Sequence, residues 1–488
     1  MDDLFLLSSS LLLTTLSLIL GFLYTKHKHK NEAINLPPGS FGLPVIGESI
    51  QFLYGNPNKF IKHRMAKHSP HIFKTHILGE PTVVLCGPAG NKFLFGNEHK
   101  LFTSWRPHSM QKLVRSYQST APPPPLPADS GETDTKVLRS PGFLKPEALS
   151  KYMGKLNVIA EQHIKMHWEG KVEVEAFPLA KLFTLSIACN FFLGIQEYSK
   201  IAKLVKSFDD VTLGLHCMPV NFPGTVFYRA SKAAAIIRKE LIEIVKQKKQ
   251  ALSRGVRGSD ILSFMIMAGD GSGSSSSPQI SQVEIVDKMM GLLLAGYSTV
   301  ATAITFVIKY MGETPQVYQQ VLLEQKKIAA SKSSDETLNW EDIQRMKYSW
   351  SVVSEAMRLT PPLQGTFREA LTDISYQGFT IPKGWKIYWT VSTTNMDADY
   401  FPNPERFDPS RYEEGNMLES FTYLPFGGGP RSCPGKEYSR VVILSFLHNM
   451  VMKFKWEIVF PNEKIINDMM PMPAQGLPVR LINHAPSS

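Results

Sequence analysis

Phe426-Gly427-Gly428-Gly429-Pro430-Arg431-Ser432-Cys433-Pro434-Gly435 sets four glycines and two prolines around a single cysteine. Glycine reaches backbone angles that other residues avoid, and proline stiffens a turn while removing a donor. The segment that follows, Tyr438 to Phe446, reads as helix. Such a loop either presents backbone N–H groups and a thiol to something large or forms a turn that buries a cysteine. At a helix start the thiolate form is favoured by the dipole and by free N–H groups, which lower the thiol pKa.

Working upstream, Pro404-Glu405-Arg406-Phe407 precedes the loop, and Glu355-Ala356-Met357-Arg358 precedes that. The pattern predicts a helix from about Met346 to Leu359, stopped by Pro361-Pro362. Glu355 and Arg358, three residues apart, share one face of it and can form an ion pair. Still further upstream, Ser281 and Glu284 make a capping box at the head of an apolar run that reaches about Gly312. A helix of that length, about 45 Å, can traverse a whole domain. Gly291 and Gly296 lie inside it, each costing ~1 kcal/mol relative to alanine, so a packing or ligand reason is expected.

The rest of the chain supplies context. Helical patterns run near residues 147–169, 177–194, 197–206 and 226–253, and two strands are expected between Phe73 and Cys86. Residues 121–135 form a proline-rich irregular insert, and 269–278 a Gly/Ser loop. The four cysteines, Cys86, Cys189, Cys217 and Cys433, show no close pairing, which points to a reducing compartment. Lys and Arg number 53 against 43 Asp and Glu, a net charge of +10. No zinc-finger spacing or long basic run directs this charge to nucleic acid, leaving membrane lipid or an acidic protein partner.

At the N-terminus, Leu4 to Tyr24 holds no charge, and its length of about 31 Å as a helix matches a bilayer core. Asp2 and Asp3 precede it, and Lys26, Lys28 and Lys30 follow. The acidic start argues against a cleaved signal, and the basic flank puts the remainder in the cytosol. The expectation is a membrane anchor over 1–35 and one catalytic domain over 36–488.

The motifs occur in an order that resembles the cytochrome P450 family, and the cysteine stretch fits that family's FxxGxRxCxG signature. The resemblance spans nearly the whole chain and implies a mainly α fold with a small β-sheet subdomain around one haem b. It implies that Cys433 is the axial ligand of the haem iron, that Phe426 packs near the thiolate, and that Arg431 and Arg368 meet haem propionates. Gly435 completes the loop. Glu355, Arg358 and Arg406 are implied to lock together beneath the haem in a structural role. Ala295 and Gly296 are implied to clear space over the haem, and Thr299 to guide protons to dioxygen. Electrons are expected from NADPH through a flavin-carrying reductase in the endoplasmic reticulum membrane. Finer wording, including Thr366-Phe367-Arg368-Glu369-Ala370, resembles the plant branch that oxidises triterpenoid skeletons.

Two departures from the family pattern stand out. Ser298 occupies the place of a carboxylic acid, so the proton relay is expected to run through Ser298, Thr299 and water. A Trp and an Arg four apart are expected on a propionate-binding helix, yet Trp105 and Arg106 are adjacent. Lys136 and Arg139 are the substitute candidates, the alternative being a solvated helix face. Two other readings remain at this point: a haem-thiolate isomerase or dehydratase needing no reductase, and a haem-binding relative with impaired catalysis.

Overall fold

The computed structural model describes residues 35–44, 46–115, 144–256, 258–269, 281–333, 336–413, 415–416, 418–466 and 469–484. The apolar stretch 4–24, the proline-rich insert and residues 270–278 of the Gly/Ser loop lie outside them. Contacts divide the chain into two compact units, one holding residues up to Trp105 together with Thr366–Thr390, the other holding Arg106–Gly365 and Val391 onward.

The first unit is built on a five-stranded sheet. Strand β1 (Ile72–Ile77) and strand β2 (Glu80–Leu85) form the predicted hairpin, with Ile77 opposite Glu80. Leu78 and Gly79 alone make the turn, both at positive φ (55° and 81°), the geometry whose twist suits a two-residue hairpin. Strands β3 (Phe102–Trp105), β4 (Gly365–Ala370) and β5 (Lys386–Thr390) complete the order β1-β2-β5-β4-β3, and β2 runs parallel to β5. Phe73, Val83, Val84 and Ile387 are fully buried and β5 is buried along its whole length, so both faces of the centre of the sheet are covered.

The second unit is helical and carries the large core. Its main elements are α1 (Pro146–His167), α2 (Ala176–Ala188), α3 (Tyr198–Gly214), α4 (Val226–Ser253), α5 (Gln282–Glu313), α6 (Lys347–Leu359) and α7 (Lys436–Lys453). The predicted helices are present; α3 is longer than the pattern suggested, because its last two turns bury Phe208, Val211 and Gly214. Ser281 and Glu284 close the capping box of α5 as expected, the Ser281 side chain accepting from the Glu284 N–H at 3.2 Å. The 32 residues of α5 give a rod of about 48 Å. It packs against α2, α3, α4, α6 and α7, so it is buried almost all round.

Two described segments, 176–193 and 282–313, are long and apolar enough to cross a membrane by length and composition. Both are mostly buried within the helical unit, where their apolarity serves the core. A small sheet of Glu173–Glu175, Pro478–Asn483 and Phe454–Ile458 and a short hairpin pairing Ile465–Ile466 with Met472–Pro473 finish the unit. The methionine-rich tip reaches inward, with Met469 and Met470 buried.

Candidate active site

The cysteine loop owes its shape to its glycines. Gly427 and Gly429 take φ of 68° and 65°, left-handed angles at which a β-carbon would be strained. This curl lets the Cys433 N–H donate to the Phe426 carbonyl at 2.8 Å and closes the loop back on itself. Cys86, Cys189 and Cys217 are buried, whereas Cys433 is accessible. Its thiol opens onto a cavity of about 310 Å³ that Leu144, Lys145, Gly429, Pro430, Ser432 and Pro434 also line. The surrounding protein still desolvates the sulfur. Burial therefore raises the thiol pKa, and the Gly435 N–H bond only partly opposes it. The helix start alone does not produce the low pKa expected from the sequence. Coordination to a metal would supply the thiolate.

The loop is seated on α6. The Phe426 ring lies parallel to Trp350, with centroids 6.4 Å apart and planes 13° apart, and the Arg440 guanidinium covers Trp350 at 5.7 Å. Below, Glu355 and Arg358 form a two-pronged pair, Nε to Oε2 and Nη2 to Oε1 both at 2.7 Å, with both side chains fully buried. Arg358 Nη1 donates to the Asn395 carbonyl at 2.7 Å.

The third basic partner is not Arg406. Arg406 is exposed and contributes its backbone carbonyl, which accepts from Arg358 Nη2 at 3.3 Å. The arginine that reaches Glu355 is Arg411, Nε to Oε1 at 3.3 Å, beside the Asp408 N–H at 3.0 Å. Arg411 sits on the short helical turn Pro409–Tyr412 and its Nη2 also donates to the Asn403 carbonyl at 3.1 Å, which holds it back against Glu355. Phe407 of the same segment stacks on Tyr310 of α5 at 5.0 Å. The only sequence trace of Arg411 was a second arginine five residues beyond the first.

On α5 the catalytic candidates separate by face. Ala295 is exposed and Thr299 half-buried, one turn apart on a helix that is otherwise buried here, so the two line the same opening. Gly296 turns away from it: a β-carbon there would meet Phe192 at 3.3 Å and Tyr438 of α7 at 3.6 Å. Its lack of a side chain admits aromatic packing rather than clearing space over a cofactor. Ser298 is buried. Thr299 Oγ1 donates to the Ala295 carbonyl at 2.7 Å, leaving its lone pairs as acceptors.

Arg368 stands in the first unit, where its Nε donates to the buried Glu98 carboxylate at 2.5 Å. Lys136 and Arg139 fall outside the described residues. Lys145, at the N-cap of α1, is the cation lining the Cys433 cavity, and its sequence context signals only a helix start.

These features test what the site can hold. Among the described residues no group of three or more His, Cys, Asp or Glu could hold a metal ion. An accessible thiol in a glycine loop, a buried pair bracing it and an opening on α5 fit a haem-thiolate protein. The cytochrome P450 family model matches residues 37–479, and the chain belongs to that family. A β-amyrin 28-monooxygenase of Medicago truncatula is 48% identical over 99% of this chain and 100% of its own length. One from Vitis vinifera is 48% identical over 97% of each. Among solved structures, a retinoic acid-bound cyanobacterial CYP120A1 superposes with a TM-score of 0.80 at 29% identity, covering 92% of this chain and 100% of its own. The protein is therefore a cytochrome P450 monooxygenase that uses haem b and electrons delivered from NADPH by a reductase.

Proposed function

We propose that the enzyme oxidises a pentacyclic triterpene of the β-amyrin type, and position 28 of that skeleton is the first expectation. The near full-length identity to β-amyrin 28-monooxygenases carries this reading. Cys433 would hold the haem iron, Arg431 and Lys145 would meet the propionates, and Phe426 would shield the sulfur. Lys136 and Arg139 remain candidates for the same propionate contacts. When bound, haem activates dioxygen so that one oxygen atom enters a C–H bond and the other leaves as water.

The protein's own part is to orient substrate, exclude bulk water and deliver protons. Thr299 accepts a hydrogen bond from water while its own proton is held by the Ala295 carbonyl, so it orders a water at the opening. Ser298 replaces the acid in this relay, and protons reach the site by water rather than from a carboxylic acid. Residues 1–35 anchor the chain in the endoplasmic reticulum membrane by one span, with 36–488 as the cytosolic catalytic domain and no role for nucleic acid. The net positive charge suits an acidic reductase face.

Microsomes holding the protein and a plant reductase should show a thiolate-type carbon monoxide band. They should also convert β-amyrin to a product one oxygen atom heavier only when NADPH is supplied. A normal band with β-amyrin recovered unchanged would remove the substrate assignment; NADPH-independent conversion would favour an isomerase or dehydratase.

A further inference from the structure

We infer that Asp209 and Tyr297 form a positioning pair that ties the placement of α3 to the rotation of the catalytic turn on α5. The inference rests on reading Ala295 and Thr299 as the face that meets oxygen. Tyr297 lies two residues from each, and at about 100° per residue it points to the opposite side of the helix. Whatever holds Tyr297 therefore sets the direction in which Thr299 faces.

Tyr297 is fully buried, and its phenol donates to Asp209 Oδ1 at 2.7 Å. The other Asp209 oxygen accepts from Lys181 of α2 at 2.7 Å. The Thr184 hydroxyl, also buried and also on α2, reaches the Tyr297 carbonyl at 3.0 Å. The Phe208 ring of α3 packs on Tyr297 with centroids 5.6 Å apart. The turn is thus gripped at its side chain and at its backbone, from α3 and α2. Burial, with Asp209 adjacent, pushes the phenol pKa far up, so it stays a donor at all working pH values.

Asp209 is the end of the pair nearer solvent. It is a third exposed, on a helix whose C-terminal end leads into residues 215–225, where Val220 and Phe222 are exposed. A displacement of α3 that carried Asp209 away would leave a buried phenol without its acceptor, a state the turn escapes only by rotating. Neither residue touches the reacting atoms, and their effect passes through the helix.

The test uses full-length holoenzyme. Tyr297→Phe and Asp209→Ala should each speed amide hydrogen exchange across residues 296–300 about tenfold, the worth of one hydrogen bond. Each should also raise the share of NADPH electrons lost as hydrogen peroxide, and the double variant should be no worse than either single one. Asp209→Asn keeps an acceptor for the phenol and should stay near the parent. Unchanged exchange and peroxide release in Tyr297→Phe, with its carbon monoxide band intact, would overturn the inference. If Tyr297→Phe loses that band, the Asp209 variants decide. Equal impairment of Asp209→Asn and Asp209→Ala would assign the effect to the Lys181 ion pair and overturn it as well. Exchange needs no turnover, so a wrong substrate assignment would leave this readout standing.

Discussion

The ground beneath Cys433 and the turn on α5 solve opposite problems. Around Glu355 the charges are buried, and each prong is answered: Arg358 by two carboxylate bonds and two carbonyls, Glu355 by Arg358, Arg411 and the Asp408 N–H. Along Ala295 to Thr299 one face is open, and the Thr299 hydroxyl is committed only to its own helix. The first arrangement stores stability and tolerates no missing partner. The second leaves lone pairs available for chemistry and costs little if altered. A haem-thiolate site needs both, because the ligand must be immobile while protons and water must not be.

Removing the acid from the buried cluster should produce the largest effect. Glu355→Ala leaves Arg358 buried without its countercharge, a loss of about 3–5 kcal/mol. The expected outcome is loss of the carbon monoxide band and of soluble holoprotein; a stable variant with a normal band would show that the cluster does not brace the ligand loop. Arg411→Ala should cost about 2 kcal/mol, as for a hydrogen bond to a charged group, whereas Arg406→Ala should cost under about 0.5 kcal/mol. Chemical denaturation of the two variants side by side measures the difference, and the reverse order would restore Arg406 to the cluster.

Acid probes the packing of α7, the helix that follows the cysteine loop. His163 on α1 is buried beside Phe446 of α7, and desolvation lowers its pKa to about 3. Between pH 6.5 and about 3 the unfolded chain binds a proton that the folded one refuses, so stability falls as pH drops through this window, by about 2 kcal/mol at pH 5. His163→Phe should flatten that slope in thermal melts; an unchanged slope would clear His163 of the effect.

The open turn should respond least in stability and most in outcome. Thr299→Ala should leave the melting temperature within a degree or two of the parent, yet divert NADPH electrons to hydrogen peroxide, lowering product per NADPH by about tenfold. Unchanged coupling would take Thr299 out of the relay and blunt the contrast between the two regions.

Much of this was legible in the chain because the signals are local. The capping box at Ser281 and the i,i+3 pair at Glu355 and Arg358 depend on spacing within one helix, and both appear as read. Where a partner comes from a loop, spacing carries no information. Arg406 and Arg411 lie five residues apart in one segment, and only the folded chain shows that Arg411 is the one held against Glu355 and the Asn403 carbonyl. Gly296 was legible as an exception but not for its cause, which is the approach of Phe192 and Tyr438 from other elements.

By itself the sequence determined the family, the glycine-rich cysteine loop, the order of the motifs and the serine at position 298, because these are matters of residue identity and short-range periodicity. Only the tertiary structure decided which arginine completes the buried cluster, which face of α5 is open, where the Thr299 proton goes and what grips Tyr297. Those are contacts between residues far apart in the chain, fixed by how helices rotate when their apolar faces are buried together.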